Sequence, residues 1–181
     1  MQVVALAIPE VKLVTPRIFR DERGFFAETW NAADWAARGI TLHFVQDNHA
    51  LSRDKGTLRG LHFQRDPRAQ DKLVRVVRGA ILDVAVDIRR GSPTFGRHVT
   101  AVISAANFTQ ILVPKGFAHG YVTLEPDTEV VYKVTDVYSP ADDAGLAFDD
   151  PALGIDWGVT RADAILSDKD RKLPPLSEVV G

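Results

Sequence analysis

The sequence predicts an all-β domain, a sandwich or barrel of short strands for which a jelly roll suits a chain of 181 residues. Three observations carry that expectation. Apolar and polar residues alternate at a period of two, most plainly in 80–88, where Leu82, Val84, Val86 and Ile88 share one face and Asp83 and Asp87 the other. Turn signals such as Asp21-Glu22-Arg23-Gly24, Arg78-Gly79 and Gly91-Ser92-Pro93 recur between such runs. Only one stretch before the C-terminus carries helix signals, with Asn31 as cap, 32–38 as body and Gly39 as stop.

In order, β-like pieces at 11–14 and 18–19 precede the polar turn at 21–24 and the aromatic pair Phe25-Phe26. After the short helix, 44–49 reads as a strand ending in a polar cluster, and the loop 52–56 leads into Leu58-Arg59-Gly60-Leu61-His62-Phe63-Gln64. Strands then follow at 72–77, 80–88, 99–103, 111–113, 120–124 and 129–135. Beyond Tyr138-Ser139-Pro140 the pattern loosens, and 165–170 is the last ordered-looking piece. No repeat or linker divides the chain, so residues 1–181 are expected to form a single domain.

Composition narrows the function. A formal net charge of -2 and a pI near 6.2 argue against a generally basic surface, so nucleic acid is not expected as a partner and any phosphate must be gripped by a few local cations. There is no cysteine, which removes thiolate catalysis and thiolate metal ligands. No apolar run approaches the roughly 20 residues of a membrane span, and no signal-like segment opens the chain. A cytoplasmic setting without membrane contact is the expectation.

The chemistry centres on 58–64. On a regular strand Gly60, His62 and Gln64 share one face while Arg59, Leu61 and Phe63 share the other, so Arg59 and His62 reach one pocket only if Gly60 permits a bulge or twist. Downstream, Pro114, Gly116 and His119 have the spacing P-x-G-x-x-H. This resembles the second motif of the cupins, a jelly-roll or double-stranded β-helix family whose histidine often binds metal. The first cupin motif is incomplete here, since His62, Phe63 and Gln64 supply a single imidazole and no carboxylate follows at the usual distance. Two ligands fall short of the three or four a transition metal needs, so no metal is expected. Asp83 is the residue that fits an all-β core least. Periodicity alone favours a wet face for it; the expectation is nevertheless burial, with His119 as its partner near ~3 Å.

Taken together, 21–26, 44–49, 58–64, 70–75, 92–96 and 114–120 resemble successive blocks of the dTDP-4-dehydrorhamnose 3,5-epimerase family, nearly end to end. The resemblance implies a cupin-like jelly-roll barrel with short peripheral helices, and a cofactor-free homodimer. We expect the N-terminal strands before Asp21 to pair with the partner's sheet. It also implies inversion of C3 and C5 of dTDP-4-dehydro-6-deoxy-D-glucose. By the same resemblance His62 is the general base, Tyr132 the general acid on the other side of the sugar, Asp170 the partner of His62, and Lys72 the cation at the C4 carbonyl. Arg23, Glu28, Asp47, Asn48, His49, Arg59, His119, Asp143 and Lys169 would hold the nucleotide sugar, with Tyr138 stacked on thymine. The family usually has Glu where this chain has Asp143, and the loop after Trp157 carries one extra residue.

The reaction independently requires such parts. Removing a hydrogen beside a ketone needs a positioned base and a group to stabilise the enolate, and inversion needs a proton from the opposite face. The competing readings are a single-site epimerase or ketoisomerase on the same barrel, a metal-dependent cupin, and a non-catalytic sugar-binding barrel. A buried structural tyrosine and solvated surface lysines and arginines are the plain alternatives for Tyr132, Lys72 and Arg23.

Overall fold

The computed structural model describes residues 1–179. Its strands are β1 (Gln2–Ala5), β2 (Lys12–Thr15), β3 (Ile18–Asp21), β4 (Gly24–Ala27), β5 (Gln46–Ser52), β6 (Leu58–Gln64), β7 (Lys72–Arg78), β8 (Ala80–Asp87), β9 (His98–Ser104), β10 (Gln110–Val113), β11 (Phe117–Thr123), β12 (Thr128–Val134) and β13 (Asp143–Gly145). One sheet runs β1-β2-β10-β7-β12-β5, the other β13-β6-β11-β8-β9, and β3 and β4 form a separate hairpin. From β5 to β8, and again from β9 to β13, each strand lies in the other sheet from the one before. That winding, with antiparallel neighbours throughout, is the expected jelly roll.

The alternation in β8 explains why both of its faces are apolar. Ile81 and Ala85 join Val74, Val76, Val130 and Phe117 in the core between the sheets. Val84 and Val86 face the other way, onto Leu58, Leu61 and the C-terminal residues Leu146, Phe148, Trp157 and Leu176. The C-terminal third thus covers the outer face of one sheet, and Asp83 and Asp87, fully buried, look into the barrel. Asp87 is satisfied there by Arg89, Ser92 and Thr94, whose donors lie 2.6–2.9 Å from its oxygens. A third cluster, Val14, Trp35, Ile40, Leu73 and Leu112, seals the outer face of the opposite sheet under the short helix α1 (Ala32–Ala36). Asn31 caps that helix by accepting from the Ala33 and Asp34 amides at 3.1 and 3.2 Å.

Several boundaries differ from the sequence expectation. β5 continues past the polar cluster to Ser52, because Asn48, Ala50 and Ser52 alternate inward against β12. β11 begins at Phe117, so His119 sits within a strand rather than a loop. The helix is shorter than 32–38 by two residues. Strand β2 lies between β1 and β10 of its own chain, so the N-terminal strands are not free as a unit to join a partner's sheet; in that stretch, among the described residues, the outer edge of β1 and one edge of β3 are unpaired.

The decisive local feature is a bulge in β6. Against β11, His62 lies opposite His119 and Arg59 opposite Tyr121, so Gly60 and Leu61 together face the single residue Gly120. Two residues against one turn Arg59 onto the face of His62, correcting strict alternation as the glycine had suggested. Only glycine fits: Gly60 has φ +122°, and a Cβ there would meet Gly120 Cα at 2.6 Å and the His119 carbonyl at 2.7 Å. Gly60→Ala is expected to cost about 2–6 kcal/mol, from ~1–3 for backbone strain and ~1–3 for overpacking. The control Gly154→Ala, also at positive φ but with nothing within 4 Å of its Cβ, should lose roughly 1 kcal/mol. Urea midpoints for the two variants that fall together would contradict the close approach.

Candidate active site

The open side of the barrel holds a cavity of about 420 Å³. Arg59 and His62 reach it from β6, His119 and Tyr121 from β11, Lys72 from β7 and Tyr132 from β12. Since β6 and β11 belong to one sheet and β7 and β12 to the other, His62 and Tyr132 stand on opposite walls. The 3-10 turn Asp170–Lys172 closes one flank with Ser167, Lys169 and Asp170.

Each histidine of the cavity is tied to a carboxylate. His62 Nε2 lies 2.6 Å from Asp170 Oδ1, which orients the ring and leaves Nδ1 as the nitrogen free to take a proton. Burial pushes the Asp170 carboxyl upward, but the His62 hydrogen bond and charge, the Ser167 hydroxyl and the Gly60 amide outweigh it and hold the group below its ordinary range. The bulge glycine therefore also helps to fix the partner of the base. His119 Nε2 lies 2.9 Å from Asp83 Oδ2, as expected from the sequence, with Asp83 fully buried. The other Asp83 oxygen, Oδ1, is buried without a hydrogen-bond partner among the described residues.

Lys72 is the exposed-looking lysine of the sequence that turns out to be buried. It is 9% exposed, and its ammonium donates to the His62 carbonyl at 3.3 Å. Burial lowers it to about 8, against the pull of Asp143 and Asp83 and with the repulsion of Lys169. Burial also raises the Tyr132 phenol, opposed by the Arg59 guanidinium, so the hydroxyl remains a proton donor at neutral pH.

At the mouth, Tyr138 donates to Asp143 Oδ2 at 3.0 Å, and Lys169 pairs with the same oxygen. Asn48 lines this end beside them. Gln64, on the face of His62, braces the rim: its amide donates to the carbonyls of Arg68 and Val137 and accepts from the Ser139 amide at 2.7 Å.

His62, Lys72, Tyr132, Asp170, Arg59, His119, Asn48, Tyr138, Asp143 and Lys169 are thus brought together. Asp47 and His49 are not. They alternate with Asn48 onto the outer face of β5, where Asp47 pairs with Lys133 and His49 with Glu129. Arg23 lies on the β3–β4 hairpin, pairs with Asp21, and lines only a shallow groove with Phe19, Phe25 and Phe26; Glu28, just beyond it, is exposed. Ser167, Gln64 and Tyr121 were given no role by sequence reasoning. The period of two that relates Tyr121 to His119 was the signal that could have placed it in the cavity.

Residues 5–178 match the family described as dTDP-4-dehydrorhamnose 3,5-epimerase. A protein of that name from Sinorhizobium fredii is 50% identical over 97% of this chain and 89% of its own. A solved epimerase of the same description from Bacillus anthracis, with TDP and pyrophosphate bound, superposes with a TM-score of 0.93 at 50% identity, covering 96% of this chain and 98% of that one. A dTDP-6-deoxy-D-glucose-3,5-epimerase from Legionella pneumophila, in complex with dTDP-4-keto-L-rhamnose, gives 0.92 at 44% identity over 97% and 93%. With its cupin-like jelly roll and cavity described above, the chain belongs to the dTDP-4-dehydrorhamnose 3,5-epimerase family.

Proposed function

We propose that this protein is an isomerase that inverts C3 and C5 of dTDP-4-dehydro-6-deoxy-D-glucose, giving dTDP-4-dehydro-L-rhamnose, a step in making dTDP-L-rhamnose. The observation that carries this reading is the placement of a carboxylate-held imidazole, His62–Asp170, on one wall and a protonated phenol, Tyr132, on the other, with the Lys72 ammonium on the same cavity lining, 3.3 Å from the His62 carbonyl. His62 Nδ1 takes the proton from the carbon beside the C4 ketone, and the electron pair moves to the carbonyl oxygen. Lys72 stabilises the resulting enolate. Tyr132 delivers a proton to the opposite face and is reprotonated from solvent, and His62 Nδ1 releases its captured proton to solvent before it acts at the second carbon. In the glucose configuration H3 and H5 lie on the same face of the ring, so one base and one opposed acid serve both carbons. Nothing in this sequence of proton transfers calls for a cofactor.

Two variants separate the roles. His62→Asn is expected to abolish solvent exchange at both carbons while dTDP binding changes little, because the base acts in the transition state. Tyr132→Phe should retain exchange while net inversion falls by ~10²–10⁴, the usual loss for a general acid. Deuterium uptake at C3 or C5 near the wild-type rate in His62→Asn contradicts the assignment. Uptake at one carbon alone in the wild type supports a single-site epimerase instead.

Lys72 gives a pH dependence with a defined sign. Its ammonium is present below about 8 and lost above it, so the rate should fall on the alkaline side, by about tenfold one unit above the midpoint. Lys72→Gln should lower the plateau by ~10²–10³ and remove that limb. An alkaline limb unchanged by the substitution contradicts the role.

The working unit is a homodimer in which the β3–β4 hairpin reaches the partner. Phe19, Phe25 and Phe26 are 48%, 59% and 67% exposed on an isolated two-stranded ribbon, an arrangement marginal in water without a covering surface. Arg23 and Glu28, which the family resemblance assigns to the nucleotide, lie outside their own chain's cavity and would serve the partner's. Sedimentation at micromolar concentration should give twice the 19.9 kDa chain mass, and Phe25→Asp with Phe26→Asp should give monomers; a wild-type monomer contradicts it. Among the described residues no helix is long and apolar enough to cross a membrane, and a cysteine-free chain acting on a nucleotide sugar suits the cytoplasm.

A further inference from the structure

Tyr121 lines the cavity yet takes no part in the proton transfers. The register places it one rung from the base: His119 is opposite His62, and Tyr121 is opposite Arg59. The rungs are two residues of β11 apart, roughly 6.6–6.8 Å, a distance comparable with the span of a pyranose ring and its anomeric oxygen. Tyr121 shares the wall of His62, so it cannot be the acid that inverts a carbon from the opposite face. Its ring belongs to the core and the residue is 5% exposed, which leaves the hydroxyl as the end that can meet a ligand.

That hydroxyl stays protonated. Burial raises it to about 12, with the Arg59 guanidinium and the Ser52 hydroxyl pulling the other way. Ser52 Oγ accepts from Arg59 Nε at 3.2 Å. Among the described residues the Tyr121 hydroxyl makes no hydrogen bond, and Asp83 Oδ1 is the one side-chain polar atom buried without a partner, so the phenol O–H is uncommitted and open to the cavity it lines. Beside it, Arg59 uses Nε on Ser52 and one terminal nitrogen on the Leu51 carbonyl, which leaves the other terminal nitrogen for a ligand.

We propose that Arg59 and Tyr121 form a donor rung that grips an oxygen of the bound nucleotide sugar, from its phosphate or a sugar hydroxyl, and thereby positions the ring over His62. The proposal rests on the substrate class of the preceding section and adds Tyr121 as a positioning residue.

Tyr121→Phe keeps the ring and removes only the donor. KM for the nucleotide sugar is expected to rise about tenfold, the size of one hydrogen bond to a polar or charged acceptor, with kcat within about threefold and thermal unfolding unchanged. Calorimetry with dTDP alone identifies the acceptor: a matching loss of affinity places it on the phosphate, and unchanged dTDP affinity with raised KM places it on the sugar. KM and dTDP affinity both within about twofold of wild type would overturn the rung, as would a fall in kcat at constant KM. Failure of the wild type to turn over the nucleotide sugar would refute the reaction instead, while turnover with an indifferent Tyr121→Phe refutes only the rung.

Discussion

The close crossing of Gly60 over Gly120 is the constraint on which the site depends. A Cβ at Gly120 would lie 2.8 Å from the Arg59 carbonyl, and one at Gly60 would strike Gly120 itself. Because neither residue has a side chain, β6 can carry two residues against one of β11, and the added residue rotates Arg59 into the barrel beside His62. The Gly60 amide also contributes to holding the Asp170 carboxyl below its ordinary range, and Asp170 is the carboxylate that holds His62. One backbone irregularity thus places a guanidinium, orients a base and helps to anchor the base's partner.

Around that feature the cavity assigns each charge a distinct role. His62 and His119 have dedicated carboxylates in Asp170 and Asp83, whereas among the described residues Lys72 makes no salt bridge and has only a carbonyl as hydrogen-bond partner. Taking a charge from water without a counter-ion is costly, and Lys72 accordingly sits near 8. A cation in that state is well matched to an oxygen that gains charge during reaction, since the missing counter-charge arrives in the transition state. Asp83 contrasts with it. Among the described residues its Oδ1 is an unpartnered acceptor, and it holds His119 in the same barrel that carries Lys72.

Much of this was legible in residue order. Period two in 80–88 set Asp83 apart from the valines, and a lone carboxylate in such a strand demanded a partner, which proved to be His119. Asn31 and Gly39 marked the helix, although it ends at Ala36 and Arg38 lies in the hydrogen-bonded turn that follows. The bulge was legible only as a conflict, because alternation put Arg59 and His62 on opposite faces and glycine was the sole residue able to resolve it. Other features depend on partners that one strand does not reveal. Asp47 and His49 flank Asn48 in sequence, yet the pleat sends them to the outer face, toward Lys133 and Glu129. Tyr121 was hidden because its strand was read from Gly120, which severed it from His119 two residues earlier. Arg23 and Glu28 lie on a hairpin whose counterpart belongs to no part of the same cavity, so proximity within one chain carries no sign of their use.

The central claim is that one base on one wall and one acid on the other invert two carbons flanking a single ketone. The most direct measurement is turnover of dTDP-4-dehydro-6-deoxy-D-glucose in D₂O, with proton NMR and mass analysis of the product. The account predicts an L-configured 4-dehydro sugar carrying solvent deuterium at both C3 and C5. An L-configured product that retains substrate hydrogen at either inverted carbon would contradict it.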